Sequence, residues 1–278
     1  MKRGFMNKFL VFTDLDGTLL DHDDYSWEKA TAAISKLEST SCPLIINSSK
    51  TSAEIILIRK QMNIFTPFVS ENGAVANIPK HYFNNELNIS SPQRSLDVHH
   101  FGKSYVEIIT ILNELRDKYK FSFRGFNDMS VDEIMIETRL NRAQALDAKK
   151  RQGSEPLIWM DSNEKLERFK SLLKVKALIM TSGGRFYHVM SPVSKGQAVT
   201  WLTKQYMKSQ TRTQWKTVGL GDSYNDVPML EAVDYPILIR NPASKQPDVS
   251  HINNLHKVEL AGPAGWNQAI LEILDMVT

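Results

Sequence analysis

Cysteine is all but missing from this 278-residue chain, with Cys42 its single instance. One thiol excludes an internal disulfide and any cysteine-based metal cluster, so Cys42, placed before Pro43, is expected to be packed and inert. Long apolar runs are missing as well. No stretch approaches the roughly 20 apolar residues of a membrane helix. The N-terminal run after Lys2 and Arg3 is broken at Asn7 and Lys8 and ends at Asp14, too early for a secretory signal. Neither sign of charge dominates: 34 Lys and Arg face 31 Asp and Glu, a net charge of +3, without the clustered basic stripe that nucleic acid asks for. Repeats and low-complexity segments are lacking too. The expectation is a cytoplasmic globular protein with neither nucleic acid nor membrane as partner, able to take a small anionic ligand. A hydrophobic content of 42% over this length supports a sizeable core divided between two domains.

What the chain does have is an apolar segment, Lys8-Phe9-Leu10-Val11-Phe12, that runs into Thr13-Asp14-Leu15-Asp16-Gly17-Thr18. It has the character of a central strand in a parallel sheet, where ligands bind beyond the carboxyl ends of the strands, beside Asp14 and Asp16. Two neighbouring carboxylates repel unless a cation or a shared proton offsets them. Gly219-Leu220-Gly221-Asp222-Ser223-Tyr224-Asn225-Asp226 repeats the arrangement, a strand end followed by glycine and acids. Mg²⁺ takes hard oxygen ligands and keeps several waters, so the Asp14 and Asp222 carboxylates with the Asp16 carbonyl would suffice to hold it. A phosphate would also need donors, and Ser48 at a helix start and Lys195 beside Gly196 can supply them. Taken singly, each feature has a plain structural reading as an Asp-Gly turn, a helix cap or a solvated lysine.

Around these motifs strand and helix patterns alternate. Trp27, Ala30, Ile34 and Leu37 mark a helix over 26–39, Pro43 to Asn47 a strand, and Ala53, Ile56, Leu57 and Lys60 a second helix. Phe68-Val69-Ser70 and Ala74-Val75-Ala76-Asn77 predict a hairpin turned at Glu71-Asn72-Gly73. Polar text from Asn84 to Arg94 places a domain boundary near Asn85, and His99 and His100 fall in a polar loop. The middle third is expected to be α+β, with a helix through Tyr105, Ile108, Leu112 and Leu115, a helix through Leu166, Phe169 and Leu173, and strands at 121–123, 156–160, 177–180 and 186–190. After Pro192 the alternation resumes with a helix from Lys195, strands at 217–220 and 236–239, and a last helix through Trp266 and Ile270. The first domain is thus expected to be discontinuous, 1–84 with 191–278, around an insert of 85–190.

Asp-x-Asp-Gly-Thr after a strand, a serine after the next strand, a lysine at a helix start and Gly-Asp-Ser-x-Asn-Asp after a later strand stand here in order, at Asp14 to Thr18, Ser48, Lys195 and Gly221 to Asp226. Together they resemble the four motifs of the haloacid dehalogenase-like phosphatase superfamily. The resemblance implies a Rossmann-like parallel-sheet α/β core with an inserted α+β cap domain, Mg²⁺ as cofactor and an aspartyl-phosphate intermediate. It implies Asp14 as nucleophile, Asp16 as acid and base, and Ser48 and Lys195 as catalytic partners on the phosphate side. Asp14, Asp16 and Asp222 would be the metal ligands, supported from behind by Asn225 and Asp226.

An insert between the Ser48 and Lys195 motifs is similar to the α/β-capped sugar-phosphatase branch of that superfamily. The strings Ser48 to Glu54, Glu71 to Ala74, Gly125 to Asp128, Ser154 to Trp159 and Gly183 to His188 resemble the mannosyl-3-phosphoglycerate phosphatase family over nearly the whole chain. Tyr224, where proline is frequent, and Arg139, where glycine is frequent, depart from it. This likeness implies a small phosphorylated sugar as substrate, hydrolysed to mannosylglycerate and phosphate. Ser49, Lys50, Arg142, Arg151, Arg185 and His188 are the expected substrate contacts, since arginine's planar fork matches a glycerate carboxylate. A general sugar phosphatase of the same branch and a phosphosugar mutase using the same aspartyl-phosphate are the alternatives. The intact Asp14, Asp16, Lys195 and Asp222 argue against a catalytically silent binding module.

Overall fold

A computed structural model describes residues 6–84, 95–183, 185–243 and 246–276. The first part runs β1 (Met6–Thr13), α1 (Thr31–Ser39), β2 (Leu44–Ile46), α2 (Ser52–Gln61), β3 (Phe68–Ser70), β4 (Val75–Pro79) and β5 (Leu96–His100). There follow α3 (Tyr105–Tyr119), β6 (Phe123–Gly125), α4 (Val131–Thr138), α5 (Arg142–Ala148), β7 (Ser154–Trp159), α6 (Asn163–Val175), β8 (Ile179–Gly183) and β9 (Phe186–Met190). The last part is α7 (Lys195–Ser209), β10 (Thr213–Gly221), α8 (Val227–Glu231), β11 (Tyr235–Arg240), β12 (His256–Ala261) and α9 (Gly262–Asp275).

Both ends of the sequence build one five-stranded parallel sheet, ordered β12-β11-β10-β1-β2. Side chains of β1 alternate between two cores, as a strand's period of two dictates. Phe9 and Val11 join Leu37, Trp266 and Ile270 on the α1/α9 side, while Leu10 and Phe12 join Ala198, Leu202 and Tyr206 on the α7 side. Burial on both faces is why this segment is apolar throughout. It is the α/β core that the sequence predicts.

Two antiparallel sheets complete the fold. The first, β3-β4-β5, contains the predicted hairpin, closed by a tight turn at Glu71–Gly73. Its third strand departs from the expected polar loop: Leu96 to His100 pair along β4, and the His99 ring stacks on Trp201 with centroids 4.3 Å apart. As an edge strand it keeps several side chains exposed, which removes the apolar alternation that would reveal it. The expected boundary near Asn85 lies outside the described residues. The second sheet, β6-β7-β9-β8, is the α+β cap, covered by α3 and α6 through Ile108, Leu112, Phe169 and Leu173. Its short first strand sits at 123–125, beyond the expected 121–123, because Phe121 packs beneath α6 while Phe123 to Gly125 pair with β7. Helices α4 and α5, absent from the sequence reading, each open on a capping box, Ser130 with Glu133 and Asn141 with Gln144. Among the described residues no helix is long and apolar enough to cross a membrane.

Candidate active site

Strand register assembles the site. Thr13 lies opposite both Leu220 of β10 and Ile46 of β2, so the residues that follow these strands, Asp14, Gly221-Asp222 and Asn47-Ser48, meet at one end of the sheet. The Asp14 N–H donates to the Leu220 carbonyl at 2.9 Å and the Ser48 N–H to Val69 at 3.1 Å. Gly17, at φ +76°, turns the chain back under this edge, where a Cβ would press on Asp222 and Asn241. Gly73, at φ +95°, lies against the main chain of Ser194 and Lys195 with no room for a side chain. That contact, the Ser194 cap of α7 and a 3.1 Å hydrogen bond from Asn47 Nδ2 to the Lys195 carbonyl set where Lys195 enters.

The ammonium of Lys195 lies 2.6 Å from Asp14 Oδ1 and 2.6 Å from Asp226 Oδ1, and all three side chains are buried. Asp14, Asp222 and Asp226 offer oxygens that all lie within 4.8 Å of one another. Asp222 is fixed by Thr18 Oγ1 at 2.7 Å and Asn241 Nδ2 at 2.5 Å. Asp226 Oδ2 accepts from the N–H groups of Asp222 at 3.1 Å and Ser223 at 3.0 Å, and from the Ser223 hydroxyl at 2.9 Å. Burial pushes the Asp14 carboxyl well above the usual range; Lys195 opposes the rise, and Asp226, Asp222 and Asp16 add to it. Burial also works against the Lys195 charge, but Asp14 and Asp226 outweigh it and hold the ammonium above the ordinary lysine range. The Asp222 carboxyl is raised by burial and by Asp226.

Three buried carboxylates around one ammonium leave negative charge that a hard divalent cation would offset. The donor set fits one: Asp14 and Asp222 carboxylates could hold it, with the Asp16 carbonyl on the same turn. Asp226 has both oxygens engaged and so stands behind these ligands. Among the described residues nothing hydrogen-bonds to Asp14 Oδ2, so Lys195 fixes this carboxylate by one oxygen and leaves the other for a ligand.

Asp16 pairs with Lys50, Oδ2 to Nζ at 2.9 Å, while its Oδ1 is buried with no hydrogen-bond partner. Lys50 also lies 5.3 Å over the Tyr25 ring, and Ser48 Oγ accepts from the Lys50 N–H at 3.3 Å. A cleft of about 620 Å³ opens between core and cap and reaches the site at Lys195 and Ser223 to Asn225, the carboxylates themselves lying outside its lining. Ser49, Lys195, Asn225 and His188 line it. Arg142 does not: it pairs with Asp132 at 2.5 Å, both exposed. Arg185 is exposed and also not among the lining residues. Arg151 is not among the lining residues either; its Nε donates to the Ala148 carbonyl at 2.9 Å and its Nη1 is buried without a partner. Burial, with Arg151 second, holds the His188 imidazole down to about 4.

Several residues take roles at the site that their sequence motifs did not assign them. Thr18 and Asn241 brace Asp222. Tyr224, Thr181 and Asn72 line the cleft, and Asn72 Oδ1 accepts from Asn225 Nδ2 at 3.0 Å. Glu71, buried in the hairpin turn, accepts from the Gln152 N–H at 2.7 Å, the Gly153 N–H at 3.1 Å and the Ser154 hydroxyl at 2.6 Å. The hairpin turn therefore ties the base of the cap to the edge of the site.

Residues 11–246 match the haloacid dehalogenase-like hydrolase family. A glucosyl-3-phosphoglycerate/mannosyl-3-phosphoglycerate phosphatase of Methanococcoides burtonii is 37% identical over 267 residues, covering 96% of this chain and 97% of its own. A protein of the same description from Persephonella marina is 37% identical over 269 residues, covering 96% and 98%. Among solved structures, a Bacteroides thetaiotaomicron phosphatase of the haloalkanoate enzyme superfamily superposes with a TM-score of 0.65 at 14% identity, over 100% of this chain and 98% of its own, a likeness of fold.

Proposed function

The chain belongs to the haloacid dehalogenase-like hydrolase family, and from that premise we propose that it hydrolyses the phosphomonoester of a glycosyl-3-phosphoglycerate, mannosyl or glucosyl, with Mg²⁺. The observation that carries the chemistry is Asp14, held by Lys195 through one oxygen at the end of β1 with Asp222 beside it. Asp14 Oδ2 attacks phosphorus, the bond from phosphorus to the ester oxygen breaks, and Asp16 gives its proton to the departing alkoxide. Water then attacks the aspartyl-phosphate, Asp16 takes back a proton, and Asp14 is released with phosphate and the glycosylglycerate as products. Mg²⁺, when held by Asp14, Asp222 and the Asp16 carbonyl, supplies positive charge against the phosphoryl oxygens. Ser48, Lys195 and main-chain N–H groups near Ser49 and Lys50 bind the phosphoryl group, and electrostatic stabilisation of this kind supplies most of the rate. Asn225 and Asp226 support the loop from behind.

We place the cap between the end of β5 and Ser191, moving its first junction past the expected position because β5 pairs with β4 of the core. Phosphate release measured over mannosyl-3-phosphoglycerate, glucosyl-3-phosphoglycerate and mannose-6-phosphate tests the reading. The glycosyl phosphoglycerates are expected to have the higher kcat/KM. A preference for plain hexose phosphate would leave a general sugar phosphatase, and an isomerised sugar phosphate without free phosphate would leave a mutase.

A further inference from the structure

The cap wall of the cleft has an amphipathic surface that the hydrolysis of a phosphate ester does not itself require. On the β8–β9 pair Thr181 stands directly opposite His188, and Ile179 directly opposite Met190. All four line the cleft, together with Ser182. Residues two apart share a face of a strand, so this wall presents a polar pair beside an apolar pair. Tyr224, a residue 58% exposed, lines the cleft from the core side, and its hydroxyl donates to the Gln246 carbonyl at 3.5 Å. None of these six side chains is acidic or permanently cationic, and His188 is held neutral down to about 4, chiefly by burial. Among the lining residues the charge sits on Lys195, at the acids.

We propose that Tyr224 and the Thr181–His188 face of the cap form the subsite for a neutral pyranose ring. The proposal rests on the phosphatase reading above and deepens it. A pyranose carries hydroxyls around its rim and C–H groups on its faces, so it needs a flat apolar contact and a few hydrogen-bonding groups at the edge. Tyr224 with Ile179 and Met190 supplies the first. Thr181, Ser182 and a neutral imidazole, which donates at one nitrogen and accepts at the other, supply the second. The phosphate end is then directed to Lys195 and the acids, and the sugar occupies the uncharged part of the same cleft.

The test is binding without turnover: calorimetric titration of mannosylglycerate, in the presence of Mg²⁺, into wild type, Tyr224→Ala, Tyr224→Phe and Thr181→Val. Wild type is expected to bind, Tyr224→Ala to bind roughly tenfold more weakly, and Tyr224→Phe to stay close to wild type because the ring is kept. Equal affinity in wild type, Tyr224→Ala and Thr181→Val, or no binding by wild type, overturns the subsite. A second arm compares kcat/KM for mannosyl-3-phosphoglycerate and for 3-phosphoglycerate, which lacks the sugar. The ratio is expected to fall in Tyr224→Ala. An unchanged ratio overturns the subsite and leaves the phosphatase reading standing. Tyr224-dependent binding of mannosylglycerate without hydrolysis of its phosphorylated form supports the subsite and removes that substrate.

Discussion

Lys195 Nζ lies 2.6 Å from Asp14 Oδ1, joining residues 181 positions apart in the sequence. The same ammonium is 2.6 Å from Asp226 Oδ1, so one buried cation fixes two carboxylates that would otherwise repel. It orients Asp14 through Oδ1, with Oδ2 free of hydrogen bonds among the described residues. The sheet register supplies Asp14 and Asp222, and α7 supplies the charge that lets them stay buried.

Lys195→Met therefore leaves buried carboxylates unpaired, and breaking a buried pair in this way costs about 3–5 kcal/mol. Urea unfolding without metal is expected to show a loss of that order, with phosphate release abolished. Stability unchanged by the substitution would mean that the pair does not hold Asp14 in place.

Asp14→Asn removes the nucleophile and is expected to abolish turnover while the fold persists by circular dichroism. Asp16→Asn keeps the nucleophile but loses proton transfer, so kcat should fall by about 10²–10⁴ with substrate affinity nearly intact. A higher KM at unchanged kcat would contradict the role given to Asp16.

Asp222→Asn keeps the volume of the side chain and removes a negative charge from the set formed with Asp14 and Asp226. Mg²⁺ affinity measured by calorimetry should drop by at least roughly tenfold. Ca²⁺, with its larger and looser coordination, is expected to bind and to inhibit phosphate release. Full activity in excess chelator would remove the metal from the reading.

The geometry around β1 was legible because local strings do the work: an apolar strand must be buried on both faces, Asp14 and Asp222 each follow such a strand directly, and Ser48 follows one residue further on. Lys195 was legible as a helix start, although its pairing with Asp14 and Asp226 depends on how α7 docks. The cap arginines show the limit. Nothing in the sequence around Arg142 says that Asp132 will engage it, because that pairing depends on how α4 and α5 pack. Strand β5 was hidden because an edge strand need not alternate, whereas α4 had a readable signal in Ser130 followed by Glu133 and an apolar run. Tyr224, visible in the sequence only as a departure inside the last motif, and Thr181 become cleft residues only where core and cap face each other.

Glu71→Gln tests the link between core and cap. The carboxylate accepts from Gln152, Gly153 and Ser154, and an amide turns one of its two oxygens into a donor facing donors. A buried donor left unsatisfied costs about 1–3 kcal/mol, so the midpoint of unfolding should fall. KM should rise more than kcat falls, since the cleft loses its shape while Asp14 and Lys195 keep theirs. Equal effects on the two constants would make the turn merely structural.

Stability should also depend on pH through a carboxyl that lies away from the acids at the centre. Glu155 on β7 is buried, accepts from the Asn127 N–H at 2.8 Å and from the Tyr105 hydroxyl at 2.8 Å, and has its carboxyl pushed up by burial to about 7. Those two hydrogen bonds and Arg151 pull it down without overcoming burial. An unfolded glutamate titrates near 4.5, so the folded state holds its proton more tightly. The resulting contribution to stability is fully present below 4.5, is lost as pH rises through 7 and is flat beyond, amounting to roughly 3 kcal/mol at about 1.36 kcal/mol per pKa unit. His188 works in the opposite sense: held neutral down to about 4, it adds stability as pH rises toward the ordinary imidazole range, so wild type alone does not isolate Glu155. Glu155→Gln keeps the acceptor and does not titrate. The difference in unfolding free energy between wild type and Glu155→Gln, followed from pH 4 to 8 by urea denaturation, should therefore move against wild type as pH rises and level off above 7. A difference independent of pH would mean that Glu155 is already ionised in its buried position, with Arg151 offsetting the charge.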